Sequence, residues 1–324
     1  MRYAIYGVTL ATEYPLAVTL PESDATADLT FAVQPDAPDA LDLAAHTPVY
    51  TEGLRRDGRP SFEFWALPDR DVIRITAAMD FHCWPDRIVC HIVDPEHRYL
   101  VEVALFGMVL SLWLERRGTP TLHASSAAID GQAVAFLASA GTGKTSTAAA
   151  CVAAGHPLLS DDLIAVAERD GVMFAQPGYP QFRMWPAQAQ HFFGSVDEHP
   201  IIRPDREKRR ITIGDGIGRF VTGPVPLARF YLPRRTGDPG AEVRITPLRP
   251  ADAMMALLQH SFLTREVIRF GLQGQRLPFL ARLIGSVPVC HLDVPEGLDQ
   301  LPRVVAALEA DVADVSRTGR PAVR

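Results

Sequence analysis

The residues best equipped for chemistry lie in one short stretch. Ala138-Ser139-Ala140-Gly141-Thr142-Gly143-Lys144-Thr145-Ser146 follows the apolar run 134–137 and precedes a helix-like segment. Glycines at 141 and 143 let a backbone wrap an anion with its amide hydrogens turned inward. Lys144 offers an ammonium to the outer phosphates of ATP, and Thr145 offers a hydroxyl to Mg2+, or to Mn2+ in its place. A helix after the loop would aim its positive end at those phosphates. Ser139, Ala140, Gly141, Thr142, Gly143, Lys144, Thr145 and Ser146 are therefore the candidate nucleotide-binding residues. The common pattern begins with glycine; here that position is Ala138, which a negative φ tolerates. The plain alternative is an ordinary glycine-containing loop beside a lysine.

Residues 158–166 set Asp161 and Asp162 inside an apolar run. Two adjacent buried charges need a cation or donors to offset them, and Mg2+ would be such a cation. Taken as one strand, 158–166 sends the two carboxylates to opposite faces. Distinct roles follow, one on the metal and one near an acceptor hydroxyl. The alternative is a turn or a helix N-cap. His123 gains meaning from register. Asp130-Gly131 between two apolar runs signals a two-residue hairpin. Pairing Ile129 with Gln132 then places position 123 opposite 138, at the mouth of the loop. A histidine there would contact phosphate or the acceptor; otherwise it is a structural histidine bonded to backbone.

The elements that must position these groups fall into two patterns. Residues 1–96 read as strand-rich, with runs at 4–10, 29–33, 62–67, 72–77 and 87–93. Residues 97–117 read as a helix stopped by Gly118-Thr119-Pro120. Beyond, strands are expected at 121–129, 132–137, 158–166, 228–232, 241–248 and 288–294. Helices are expected at 143–154, 186–193, 250–259, 264–283 and 297–310. That alternation predicts an α/β layer fold. The chain thus divides into a β-rich N-terminal domain, 1–117, and a catalytic domain, 118–324. The first carries no legible chemistry and is assigned to substrate recognition.

Composition sets outer limits. The 324 residues are 47% hydrophobic and 22% charged, with a net charge of −6. That balance argues against nucleic acid or an anionic membrane surface as partner. The most apolar stretch, 99–114, is short for a membrane span and contains Glu102. Four cysteines are too few for a disulfide framework. The expectation is a cytoplasmic protein, and a homo-oligomer is allowed.

Three weaker features remain. Residues 203–210, with Arg206, Lys208 and Arg209, read as a loop that either closes on ATP or a peptide carboxylate or is simply solvated. Gly178-Tyr179-Pro180-Gln181-Phe182-Arg183-Met184-Trp185-Pro186 reads as a packed crossing, or as a cleft border with Arg183 on phosphate. His82-Cys83 and Cys90-His91 fit no common zinc spacing. A turn at Pro85-Asp86 offsets the two cysteines rather than pairing them.

Together, the Leu122-His123-Ala124 element, the hairpin, the phosphate loop and Gly155-His156-Pro157-Leu158-Leu159-Ser160-Asp161-Asp162 resemble the catalytic domain of HPr kinase/phosphorylase, a bacterial serine kinase. The gap of 17 residues from Lys144 to Asp161 is part of that likeness. The resemblance implies a phosphoenolpyruvate carboxykinase-like P-loop domain with a mixed sheet. It implies Asp161 as the base that takes the acceptor's proton, Asp162 and Thr145 on the metal, and His123 and Lys144 beside the transferring phosphate. Neither the family's substrate-binding loop nor its acidic residue downstream of the aspartates is found. The opening with Tyr6-Gly7 is similar to HPr-kinase-related proteins found beside peptide-modifying enzymes, some of them lasso-peptide tailoring kinases. The implied acceptor is a serine of a peptide or small protein, foremost the C-terminal serine of a ribosomal precursor. HPr itself, a small molecule, phosphorolysis and nucleotide binding without turnover are the alternatives.

Overall fold

Three hairpins of the fold turn on an Xaa-Gly pair: Tyr6-Gly7, Asp130-Gly131 and Asp170-Gly171 all have both residues at positive φ. That combination matches the twist of the strands it joins. The computed structural model describes residues 1–35, 43–139, 141–194, 199–203, 206–214 and 216–318. Asp130-Gly131 joins Ala124–Ile129 to Gln132–Leu137, with Ile129 opposite Gln132 and Ala124 opposite Leu137. Tyr6-Gly7 divides the strand expected over 4–10 into Arg2–Ile5 and Val8–Thr12. A left-handed tyrosine costs about 1–2 kcal/mol. Tertiary contacts offset it: Tyr6 is buried, its N–H donates to the Pro177 carbonyl at 2.7 Å, and its hydroxyl donates to the Phe106 carbonyl at 3.1 Å.

The N-terminal strands form one eight-stranded sheet, mostly antiparallel, with Tyr50–Leu54 at one edge and Arg2–Ile5 at the other. A second, nine-stranded mixed sheet holds Gln132–Leu137, Val225–Arg235 and Val289–Val294 as adjacent parallel strands. Alternate residues of Gln132–Leu137 face opposite layers. Val134 and Phe136 pack with Ala148, Val304 and Leu308 from the helices Lys144–Ala153 and Leu301–Thr318. Ala133, Ala135 and Leu137 pack with Leu257, Leu280 and Leu283 from Pro250–Gln259 and Gln273–Ser286. A strand covered on both faces explains the unbroken apolar run before the loop. The buried layer under the N-terminal sheet includes Leu105, Phe106 and Trp113 and reaches Leu163, Tyr179, Val267 and Phe270.

Several expected elements differ in detail. Residues 203–210 are not one loop: Ile201–Arg203 and Arg206–Thr212 pair with each other, and the latter with Gln181–Met184, as a three-stranded sheet. The unbroken charged run Arg206-Glu207-Lys208-Arg209-Arg210 reads as a solvated segment when its sheet partner is unknown. The helix expected over 264–283 breaks at Gly271, φ 72°, into Thr264–Arg269 and Gln273–Ser286. The helix expected over 97–117 carries a kink at Gly107.

Among the described residues, one ion pair lies wholly inside. Arg276 Nη1 donates to Glu115 Oε1 at 2.5 Å, and the two side chains are 1% and 2% exposed. The Thr121 N–H donates to the same oxygen at 2.8 Å, and Arg276 Nη2 donates to the Ser261 hydroxyl at 2.9 Å. Removing one partner strands a buried charge. Arg276→Met is expected to lower unfolding free energy in urea by about 3–5 kcal/mol, and adding Glu115→Gln to recover part of it. A loss below about 1 kcal/mol in the single variant would contradict this account of the pair.

Candidate active site

The glycine-containing loop 138–143 lies between the end of Gln132–Leu137 and the helix Lys144–Ala153. Gly141 and Gly143 have φ of 84° and 110°, and open space surrounds both where a side chain would project. Their requirement is therefore conformational rather than steric. Gly143 caps the helix without a side-chain bond, so the first-turn amides are presented to an incoming anion. Ala140 falls outside the described residues.

Lys144 is nearly buried, and its Nζ lies 3.1 Å from His123 Nε2. Burial lowers its ammonium below the usual lysine range, while the charges of Asp162 and Asp161 oppose that. His123 Nδ1 is 2.9 Å from the Asp162 carbonyl and 3.3 Å from Asp162 Oδ1. These contacts suit the tautomer with its proton on Nδ1, leaving Nε2 to accept from lysine. The His123 N–H donates to the His260 carbonyl at 2.7 Å, and Phe262 meets the ring edge-on at 5.8 Å. Burial, then Lys144 and His123, hold His260 below the usual imidazole range.

The two aspartates are not within a strand. They occupy the turn between Leu158–Ser160 and Ile164–Arg169, with Asp162 at φ 75°. Aspartate tolerates the left-handed region better than most residues, which a β-branched sequence around it disguised. The turn still separates the carboxylates. Asp161 is 3% exposed and accepts from Ser125 Oγ at 2.5 Å, Thr145 Oγ1 at 3.0 Å and the Arg183 N–H at 3.1 Å. Burial, then the charge of Asp162, raises its carboxyl above the usual aspartate range, and these donors pull it back. Asp162 is 38% exposed and faces His123 and Arg183, whose Nη1 is 3.6 Å away.

The structure thus brings His123, Lys144, Thr145, Asp161, Asp162 and Arg183 together. Arg183 lies in a packed crossing, since its neighbours Tyr179, Phe182 and Met184 are buried, and its guanidinium also borders Asp162. Lys208 lies over Trp185 at 5.6 Å, close enough for its charge to lower Lys144. Arg209 instead donates to the His199 carbonyl at 3.1 Å. Arg206 begins the strand Arg206–Thr212. Ser125 and His260 escaped the sequence reading. Ser125 had one signal, its place two residues after His123 in the strand expected over 121–129, although the structure breaks that strand at His123. Cys83 pairs with Ile88 and Cys90 with Phe81, all four cysteines are free, and no metal cluster occurs among the described residues. Nor is any helix there long and apolar enough to cross a membrane.

The residues present suit a triphosphate and a hard cation. The helix start is uncapped, Ser146 Oγ is buried without a partner, and the donors at Thr145, Asp161 and Asp162 are all oxygen. No protein-family model matches the chain, and no curated protein matches it. Among solved structures it is similar to the HPr(Ser) kinase/phosphatase from Coxiella burnetii, at 14% identity over 61% of this chain and 97% of that one, with a TM-score of 0.31.

A raised carboxyl has a thermodynamic signature. Ionising Asp161 disfavours the fold at pH above the ordinary aspartate value of 3.8 and not below it. Asp161→Asn is expected to raise Tm over wild type at neutral pH in metal-free buffer. The gain should shrink as pH falls toward 3.8. A lower Tm for the variant at neutral pH, in the same buffer, would contradict the burial argument.

Proposed function

We propose that this protein is an ATP-dependent kinase that transfers the γ-phosphoryl group to a serine of a peptide or small protein. The observation that carries the reading is the convergence of Lys144, His123 and both aspartates at the mouth of one glycine loop. The loop amides and Lys144 would hold the phosphates. Thr145 and Asp162, with Asp161 beside them, are the oxygen donors available to Mg2+ or Mn2+, which when bound would neutralise phosphate charge. Asp161, its basicity raised by burial, would take the proton from the acceptor hydroxyl. His123, held by Asp162 and the backbone, would direct Lys144. Arg183 would fix Asp162. Positioning and charge neutralisation then supply most of the catalysis.

A second assignment of the base rests on exposure. Asp162 is open to solvent where Asp161 is enclosed, so an acceptor reaches it first. The acceptor to try foremost is a precursor peptide with a C-terminal serine, as in lasso-peptide tailoring; HPr is the alternative, followed by small-molecule acceptors and phosphorolysis. The N-terminal domain, 1–117, is assigned to recognising it. The exposed edge strand Tyr50–Leu54 suits pairing with an extended peptide. Next to the opposite edge, a cavity of about 1010 Å3 lined by Tyr14, Phe31 and Arg98 offers apolar contact.

The test mixes protein, ATP and Mg2+ with a serine-terminated precursor peptide or HPr and reads phosphate gain by mass spectrometry. Phosphoserine is expected on the peptide. Lys144→Ala and Asp161→Asn should each slow transfer by about 10²–10⁴-fold. Full activity in Asp161→Asn with loss in Asp162→Asn would move the base to Asp162. Phosphate on HPr alone would make the protein a regulatory kinase, and full activity in Lys144→Ala would overturn the site.

A further inference from the structure

A second cleft opens on the other side of the phosphate loop. Its volume is about 240 Å3, and Thr142, Gly143, Ser146, Gln188, Arg235 and Glu296 contribute to its walls. Residues 143, 146 and 147 share one face of the helix's first turn, away from Lys144 and Thr145. The cleft also lies at the carboxyl ends of the parallel strands Val225–Arg235 and Val289–Val294, where α/β sheets bind ligands.

Two features of the cleft are unexplained by packing. Ser146 is 3% exposed, yet its hydroxyl has no partner. A buried hydroxyl left unpaired is costly, so a ligand that accepts from it would relieve that cost. Arg235 Nη1 donates to Glu296 Oε1 at 2.9 Å, with the side chains 47% and 40% exposed. A pair that open contributes little to stability. It does place a carboxylate and a guanidinium side by side at the rim.

We propose that this cleft holds the nucleoside half of the triphosphate, with Glu296 accepting from the ribose hydroxyls. The inference rests on the phosphate-loop reading above. The chemistry of each wall fits one part of a ribonucleotide. A carboxylate accepts from a vicinal diol. The Ser146 hydroxyl and the Arg235 guanidinium donate to the innermost phosphate. The Gln188 amide both donates and accepts, as the edge of a base requires. The ligand class is therefore a ribonucleoside triphosphate. Inorganic polyphosphate would leave the cleft empty, and a 2′-deoxynucleotide would leave Glu296 with one hydroxyl fewer.

Calorimetric titration of the full chain with Mg2+ and each of ATP, 2′-deoxy-ATP and inorganic tripolyphosphate tests this. Wild type should prefer ATP to tripolyphosphate, and ATP to 2′-deoxy-ATP, by about tenfold or more, as hydrogen bonds to a charged group allow. Glu296→Gln, at an exposed position with melting checked, should lose the preference for ATP over the deoxy form. Equal affinity of wild type for all three would overturn the cleft and leave the phosphate loop standing. Failure of both ATP and tripolyphosphate to bind would overturn the loop reading and the cleft with it. An ATP preference unchanged by Glu296→Gln would overturn the role of Glu296.

Discussion

A buried carboxyl group is the constraint around which this site is arranged. Asp161 sits 3% exposed beside a second aspartate. An ion so placed needs donors on every side. Ser125 comes from the hairpin strand Ala124–Ile129, Thr145 from the helix after the loop, and the Arg183 amide from the three-stranded sheet. One side chain therefore ties three separate elements to a common point. Displacing any of them leaves the carboxylate short of a donor, which is the sense in which the loop, the hairpin and the small sheet are positioned together.

The same region is braced from the N-terminal sheet. The Tyr6-Gly7 turn binds Pro177 and the Phe106 carbonyl, next to Ser160, which precedes the aspartates. Glu102, in the apolar helical segment, accepts from the Ala17 N–H at 2.5 Å and faces Arg210 at 3.5 Å. Arg210 in turn pairs in register with Arg183. The N-terminal sheet is thereby linked through short paths to the side chain that faces Asp162. From the other side, the buried Glu115–Arg276 pair holds Thr121 and Ser261, and those segments carry His123 and His260.

Much of the site was legible because its signals are local. The glycines of the loop, the Asp130-Gly131 turn and the pattern of apolar runs are each set within a few residues. The hairpin register follows from the turn alone, and it places His123 beside the loop. What stayed hidden depends on partners far along the chain. Tyr6 adopts a glycine-like conformation only because residues 106 and 177 hold it. The strand Arg206–Thr212 exists because Gln181–Met184 offers it an edge. The break at residues 161–163 hides in apolar neighbours that suit a strand. Ser125 looks like any small residue in a hairpin until Asp161 is brought to it.

The central claim is that the loop and the aspartates face one phosphoryl group. It is tested most directly by a structure of the protein with Mg2+, ADP and beryllium fluoride. The account predicts the fluoride group within hydrogen-bond reach of Lys144 Nζ, with His123 beside it and the metal among Thr145, Asp161 and Asp162. A nucleotide bound elsewhere, or Lys144 still turned to His123 with no contact to the fluoride group, would contradict it.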